Sequence, residues 1–192
     1  MPMDSAATRH ALVVRGGWEG HCPVEATDLV VQCYTQGVAT DEQVLTLSAA
    51  VRAGTGLAGW HGGIVDSFRG SPDYLHLTGG QWAAHPGGFV EYDAVVVAEK
   101  STHPIVEGLD TWHLNTEQYW VLTDDLNDVL ATTTFPVRPD TPWREELTCP
   151  AVWTRQWGKG RVFVSTIGHK LEDLDIPDVR TMTQRGLLWA SR

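Results

Sequence analysis

Apolar positions along this chain fall into short runs, broken by glycine and proline, that alternate with stretches of helical spacing. His10–Arg15 (His-Ala-Leu-Val-Val-Arg) enters Gly16-Gly17 and reads as a buried first strand. Asp28–Tyr34 is a second strand by its β-branched content. Thr40-x-x-Gln43 has the form of a capping box, Val44, Leu47 and Val51 follow at helical spacing, and Gly54 stands where a helix ends, so this is a helix. Gly56–Trp60 is the next strand. Ser71-Pro72 opens a second helix that stops at Gly79-Gly80. Gln81–Gly88 reads as a loop, Tyr92–Glu99 as a valine-rich strand and Val129–Phe135 as another, with weak strand signals around Thr116–Trp120. Ala151–Gln156 and Arg161–Thr166 flank Trp157-Gly-Lys-Gly160, a hairpin signal. Pro177 begins a last helix with Val179, Met182, Gly186 and Trp189 on one stripe. Strands alternating with helices predict a three-layer α/β domain, with a hairpin added near its C-terminal end.

Length and composition narrow the picture. At 192 residues, with 42% apolar and 20% charged residues, the chain suits one domain, 1–192, built on a single core. A formal charge of −10 argues against nucleic acid as a partner, and no run is long enough to span a bilayer. Residues 1–9 lack the apolar centre of a signal peptide, and three cysteines without a Cys-x-x-Cys pair suit free thiols; a cytoplasmic protein is expected.

The candidate chemistry centres on Gly54–Gly63. Gly59-x-His61-x-Gly63 can form a sharp strand-to-helix turn that lifts its central side chain off the sheet edge. Imidazole there suits a proton carrier or metal ligand; the plainer reading is a glycine-rich loop with an incidental histidine. His21, in the loop after the first strand, and His169, after the last, share this strand-end placement with His61. In a parallel sheet such positions converge on one edge. Three imidazoles with a carboxylate, for which Glu117 is the candidate, can bind a divalent metal such as zinc through His21, His61 and His169, or shuttle protons without one. Trp18 and Trp60 flank the candidate histidines and can stack on a sugar ring, while His85 and Tyr119 lie in stretches able to reach the same pocket. His103, in a His-Pro-Ile turn, reads as structural. Cys22 beside His21 offers a thiolate alternative.

Taken in order, Gly54–Gly63, Tyr74–Gly80, His85-Pro86, His103–Leu109, Glu117–Tyr119, Pro150–Arg155, Trp157–Phe163 and Gly168-His169 resemble the trehalose-utilisation (ThuA-like) family across nearly the whole chain. The resemblance implies a flavodoxin-like domain of the class I glutamine amidotransferase-like type, with a mostly parallel central sheet. It also implies a place in sugar catabolism. Amidotransferase relatives carry cysteine at the elbow; His61 cannot form their thioester, so glutaminase activity is not expected. Similarity also suggests a βα unit before Asp28, yet only Pro23–Thr27 occupies that interval, so no full helix is expected between Trp18 and Asp28. The combined reading is a histidine-dependent hydrolase or isomerase of a small sugar derivative, its histidines serving either as bases or as ligands of a divalent metal, with a small-molecule carbohydrate and a second copy of the chain as expected partners. The alternatives are a non-catalytic sugar-binding or regulatory module and a thiol-dependent hydrolase using Cys22.

Overall fold

The computed structural model describes residues 11–14 and 24–192. The predicted helix over Thr40–Gly54 forms as α1 (Asp41–Ala53), held at both ends by its own sequence. Gln43 N donates to Thr40 Oγ1 at 3.2 Å and Thr40 N to Gln43 Oε1 at 2.8 Å, closing the capping box. Gly54, at φ 130°, ends the helix by donating its amide to the Ala50 and Val51 carbonyls. The remaining helices are the single turn α2 (Gly62–Val65), α3 (Pro72–Thr78), α4 (Leu171–Asp175) and α5 (Pro177–Ala190). The strands are β1 (Ala11–Val14), β2 (Leu29–Gln32), β3 (Gly56–Trp60), β4 (Gly80–Ala84), β5 (Phe89–Val96), β6 (Thr111–Glu117), β7 (Trp120–Thr123), β8 (Asp128–Phe135), β9 (Leu147–Trp157) and β10 (Gly160–Ser165).

Eight strands form one sheet in the order β1-β2-β3-β10-β9-β8-β5-β6, while β4 and β7 make a separate two-stranded sheet. Alternate residues of the central strands serve opposite faces. Leu57, Val162 and Val164 pack with α1 and α3 on one side, and Ala58 and Phe163 pack with α5 on the other. That division produces the expected three layers. Gly186 makes the α5 side possible, since a Cβ there would stand 2.3 Å from the Phe163 ring.

The structure corrects the expectation of a mostly parallel sheet. Only β1–β2, β2–β3 and β3–β10 pair parallel; from β10 outward through β9, β8, β5 and β6 every pairing is antiparallel. The reason lies in the connections. Between β4 and β10 the only helical segment is the 3-10 turn Ala98–Lys100, so no helix is available for the parallel crossover that needs one. The hairpin is confirmed by the β9–β10 pairing, yet it is not an appendage: β10 lies beside β3 at the sheet centre. The first strand is not the neighbour of β3, because β2 stands between them. Gln81–Ala84, expected as loop, is strand β4. The weak signals near Thr116 resolve into β6 and β7, the former alternating buried and exposed along its length. Between Pro23 and Asp28 the structure describes one 3-10 turn, Val24–Ala26; the stretch from Trp18 to Pro23 lies outside the described residues. Among the described residues no helix is long and apolar enough to cross a membrane.

Candidate functional site

Strand β3 ends in a strained turn. His61 has φ 50° and ψ −145°, a region that residues other than glycine rarely enter, and it leads directly into α2. Backbone bonds hold it there: its amide donates to the Ser165 carbonyl at 2.7 Å, and its carbonyl accepts from Ile64 and Val65 at 3.2 and 3.1 Å. Gly59 is required beside it, because a Cβ would lie 2.6 Å from the Gln32 carbonyl oxygen and 2.8 Å from Ile64 Cβ. Gln36, at φ 55°, and Phe68, at φ 45°, are the other described non-glycine residues with positive φ, and Gln36 lines the same cleft as His61.

Burial and tautomer define what this imidazole can do. Its side chain is only 9% exposed, stacked on the Tyr119 ring with centroids 4.0 Å apart and 28° between planes. Nδ1 is 2.9 Å from the Thr166 carbonyl oxygen, which can only accept, so Nδ1 carries the ring proton and Nε2 presents a lone pair. Burial holds the imidazole below its ordinary value of 6.5, outweighing the opposing influence of the Thr166 carbonyl and the Glu117 charge. His61 is therefore a neutral base near pH 7.

Two further side chains meet Nε2. Glu117 Oε2, from the end of β6, is 3.1 Å away, and His169 Nδ1, from the β10–α4 connection, is also 3.1 Å away. The third side of the triangle, His169 Nδ1 to Glu117 Oε2, is again 3.1 Å. β6 and β10 are far apart in the sheet, and a polar clamp with a buried hydroxyl–carboxylate bond at its heart holds their ends together. Thr116 Oγ1 donates to Asp173 Oδ2 at 2.8 Å, Lys170 N donates to the same oxygen at 3.2 Å, and Lys170 Nζ donates to the Asn115 carbonyl at 3.0 Å. Gly168, at φ 117°, keeps the chain close, for a Cβ there would meet Trp60 Cδ1 at 2.8 Å.

The triad opens into a cleft of about 320 Å³ whose walls include Asp66, Arg69, Trp82, His85 and Tyr119. His85 Nε2 approaches Glu117 Oε1 to 3.9 Å, and the Arg69 guanidinium, ion-paired with Asp66, lies 4.4 Å over the Trp82 ring. Burial, and then the negative charge of Glu117, push the Tyr119 phenol above its usual range, so it stays a neutral donor.

Of the residues singled out in the sequence, the fold brings His61, His169, Glu117, His85 and Tyr119 together. His21, Trp18 and Cys22 lie outside the described residues. Trp60 packs against the core on the α5 side and is not among the residues lining the cleft. His103 is held in its turn, its Nδ1 accepting from Ile105 N at 3.3 Å. Sequence reasoning missed Asp66, Arg69 and Trp82 as cleft residues. The first two follow the His61 turn closely enough to have been flagged; Trp82 carried no signal beyond being one indole among nine.

Comparison with known proteins settles the family. The sequence profile of ThuA, described as trehalose utilisation, matches residues 22–190. The chain belongs to the ThuA family. No curated protein matches the sequence. Among solved structures, a ThuA-like protein from Parabacteroides merdae superposes with a TM-score of 0.67 at 19% identity, over 85% of this chain and 70% of that one. A cytoplasmic protein from Salmonella typhimurium LT2 superposes at 0.61 and 15% identity, over 88% of this chain and 74% of that one. A β-galactosidase from Rahnella sp. R3 shares the fold at 0.56 and 18% identity; 89% of this ThuA-family chain covers 24% of that longer one.

Proposed function

We propose that this ThuA-family protein is an enzyme of trehalose or keto-sugar catabolism that hydrolyses or isomerises a small sugar derivative by proton transfer at His61, Glu117 and His169. The observation that carries this reading is the convergence of two imidazole nitrogens and a carboxylate oxygen, each 3.1 Å from the others, at the floor of a cleft with an aromatic wall. Neutral His61 and the Glu117 carboxylate are both bases of suitable reach for a proton next to a carbonyl or on an attacking water. His169, 37% exposed, is the member open to solvent and can return the proton. The partly exposed Trp82 indole offers an aromatic surface beside which a sugar ring can lie, and His85 and the Tyr119 hydroxyl offer groups to its hydroxyls. Imidazole at the strand-to-helix turn leaves no thiol there for glutamine hydrolysis.

Turnover of a panel of keto-sugars and keto-glycosides, compared between wild type and Glu117→Gln, tests the reading. We expect a loss of at least about 100-fold in kcat with the fold intact, the scale on which a positioned base contributes. Ligand binding without turnover in the wild type would instead identify a non-catalytic sugar-binding module.

A further inference from the structure

We propose that His61 Nε2, Glu117 Oε2 and His169 Nδ1 are the protein ligands of one divalent transition-metal ion, with the open side of the ion facing the cleft. This rests on the site of the reading above and changes the role of its residues: with an ion bound, the lone pairs of His61 Nε2, Glu117 Oε2 and His169 Nδ1 serve as ligands, and the ion would do the activating instead of these groups acting as free bases; it does not depend on the substrate being a sugar.

The first argument is the crowding of electron-pair donors. His61 already donates its Nδ1 proton to the Thr166 carbonyl. Its Nε2 therefore has no hydrogen to offer, yet Glu117 Oε2 and His169 Nδ1 each lie 3.1 Å from it and 3.1 Å from each other, so three electron-pair donors crowd on one point. A metal cation removes that conflict by accepting all three pairs at once, with His169 bound through Nδ1 and its proton moved to Nε2.

The second argument is geometric. An ion with bonds of about 2.0–2.2 Å to nitrogen and oxygen separates neighbouring ligand atoms by roughly 3.0–3.4 Å, the lower figure for right-angled and the higher for tetrahedral directions. The three edges of 3.1 Å fall inside that interval, nearer the right-angled arrangement of two histidines and a carboxylate on one face of an ion. Such a set leaves further positions for water or a substrate oxygen.

Third, the surroundings match what a metal-bound histidine needs. The His61 ring is fixed from behind by the Thr166 carbonyl and from the side by Tyr119, which sets tautomer and orientation before any ion arrives. Two imidazoles with one carboxylate favour zinc, iron, manganese or cobalt over calcium or magnesium, which prefer all-oxygen shells.

The test uses the whole protein. Metal is removed with a chelator, and the apoprotein is titrated calorimetrically with Zn²⁺, Mn²⁺ and Co²⁺, the last also followed by its visible absorption. We expect one ion per chain, a Co²⁺ spectrum with nitrogen ligation, and affinity reduced by at least about 100-fold in Glu117→Gln and in His169→Ala. His113→Ala, a change at an exposed histidine beside Asp93, should leave binding unaltered. Circular dichroism of each variant separates a lost ligand from a lost fold. A folded apoprotein that takes up none of the three ions, or uptake that is undiminished in both ligand variants, overturns the proposal. Keto-sugar turnover by a folded protein that takes up no ion would overturn it while leaving the sugar reading standing; one bound ion with no sugar turnover would do the reverse.

Discussion

At φ 50°, ψ −145° the backbone of His61 is strained in a way glycine would not be, and the imidazole is what the molecule gains for that strain. Two effects of replacing it can therefore be separated. His61→Ala should remove activity and also destabilise the fold by about 1–3 kcal/mol, because a buried hydrogen bond to the Thr166 carbonyl and the stacking on Tyr119 are lost. His61→Gly loses the same contacts but relieves the left-handed backbone, so it should be more stable than His61→Ala by about 1 kcal/mol. Urea denaturation of the pair measures the difference; equal midpoints would mean that the turn is not strained.

At the scale of elements, the site depends on how β6 is tied to the β10–α4 connection. Thr116 is fully buried and Asp173 nearly so, and the hydroxyl-to-carboxylate bond between them is one of the contacts that hold Glu117 within reach of His169. Thr116→Val keeps the shape of the side chain and leaves the buried carboxylate a donor short. We expect a loss of about 1–3 kcal/mol in stability. Fixing geometry one step away from the reacting groups is typically worth 10–100-fold, so kcat should fall by about that much. A variant with reduced stability and unchanged kcat at low temperature would show that the bond supports the fold without positioning the site.

Over the whole molecule, the two-stranded sheet acts as the wall of the site and is docked on the large sheet by polar contacts. Tyr119 immediately precedes β7, Trp82 lies on β4 and His85 follows it. Trp153 Nε1 on β9 donates to the Thr78 carbonyl at 3.0 Å, just before β4. The Arg155 guanidinium, 1% exposed, donates to Asp124 Oδ1 and Oδ2 at 2.6 and 3.0 Å, just after β7. The hydrogen bond from Arg155 holds the Asp124 carboxyl below its ordinary value of 3.8. A carboxyl lowered in the folded state contributes stability that is fully present above its ordinary value and is lost as pH falls through the lowered one. Asp124→Asn should thus destabilise the protein at pH 7, and the gap from wild type should shrink as the pH is taken below 3.8. Denaturation curves at pH 7 and near pH 3 check this, and a gap that widens on acidification would contradict it.

Local patterns written in consecutive residues were legible in the sequence. The capping box of α1, the Gly54 stop, the proline start and glycine stop of α3, the β9–β10 hairpin and the sharp turn at His61 all depend on contacts within a few positions, which the chain states directly. His61, His169 and Glu117 were legible as candidates for the same reason, two as histidines closing strands and one as a carboxylate among aromatics. Sheet order and direction were not, because alternating apolar residues bury equally well in a parallel or an antiparallel neighbour, and β10 gives no local sign that it will sit beside β3. The sequence grouped Glu117 with His61 by chemistry but held nothing that fixes their distance, and it did not bring Arg69 and Trp82 to the cleft wall. Those placements follow from an eight-stranded sheet whose far edge reaches back to its centre and from a small sheet docked across it. Residues 56 positions apart meet at 3.1 Å because packing on both faces of that sheet leaves their strand ends nowhere else to go.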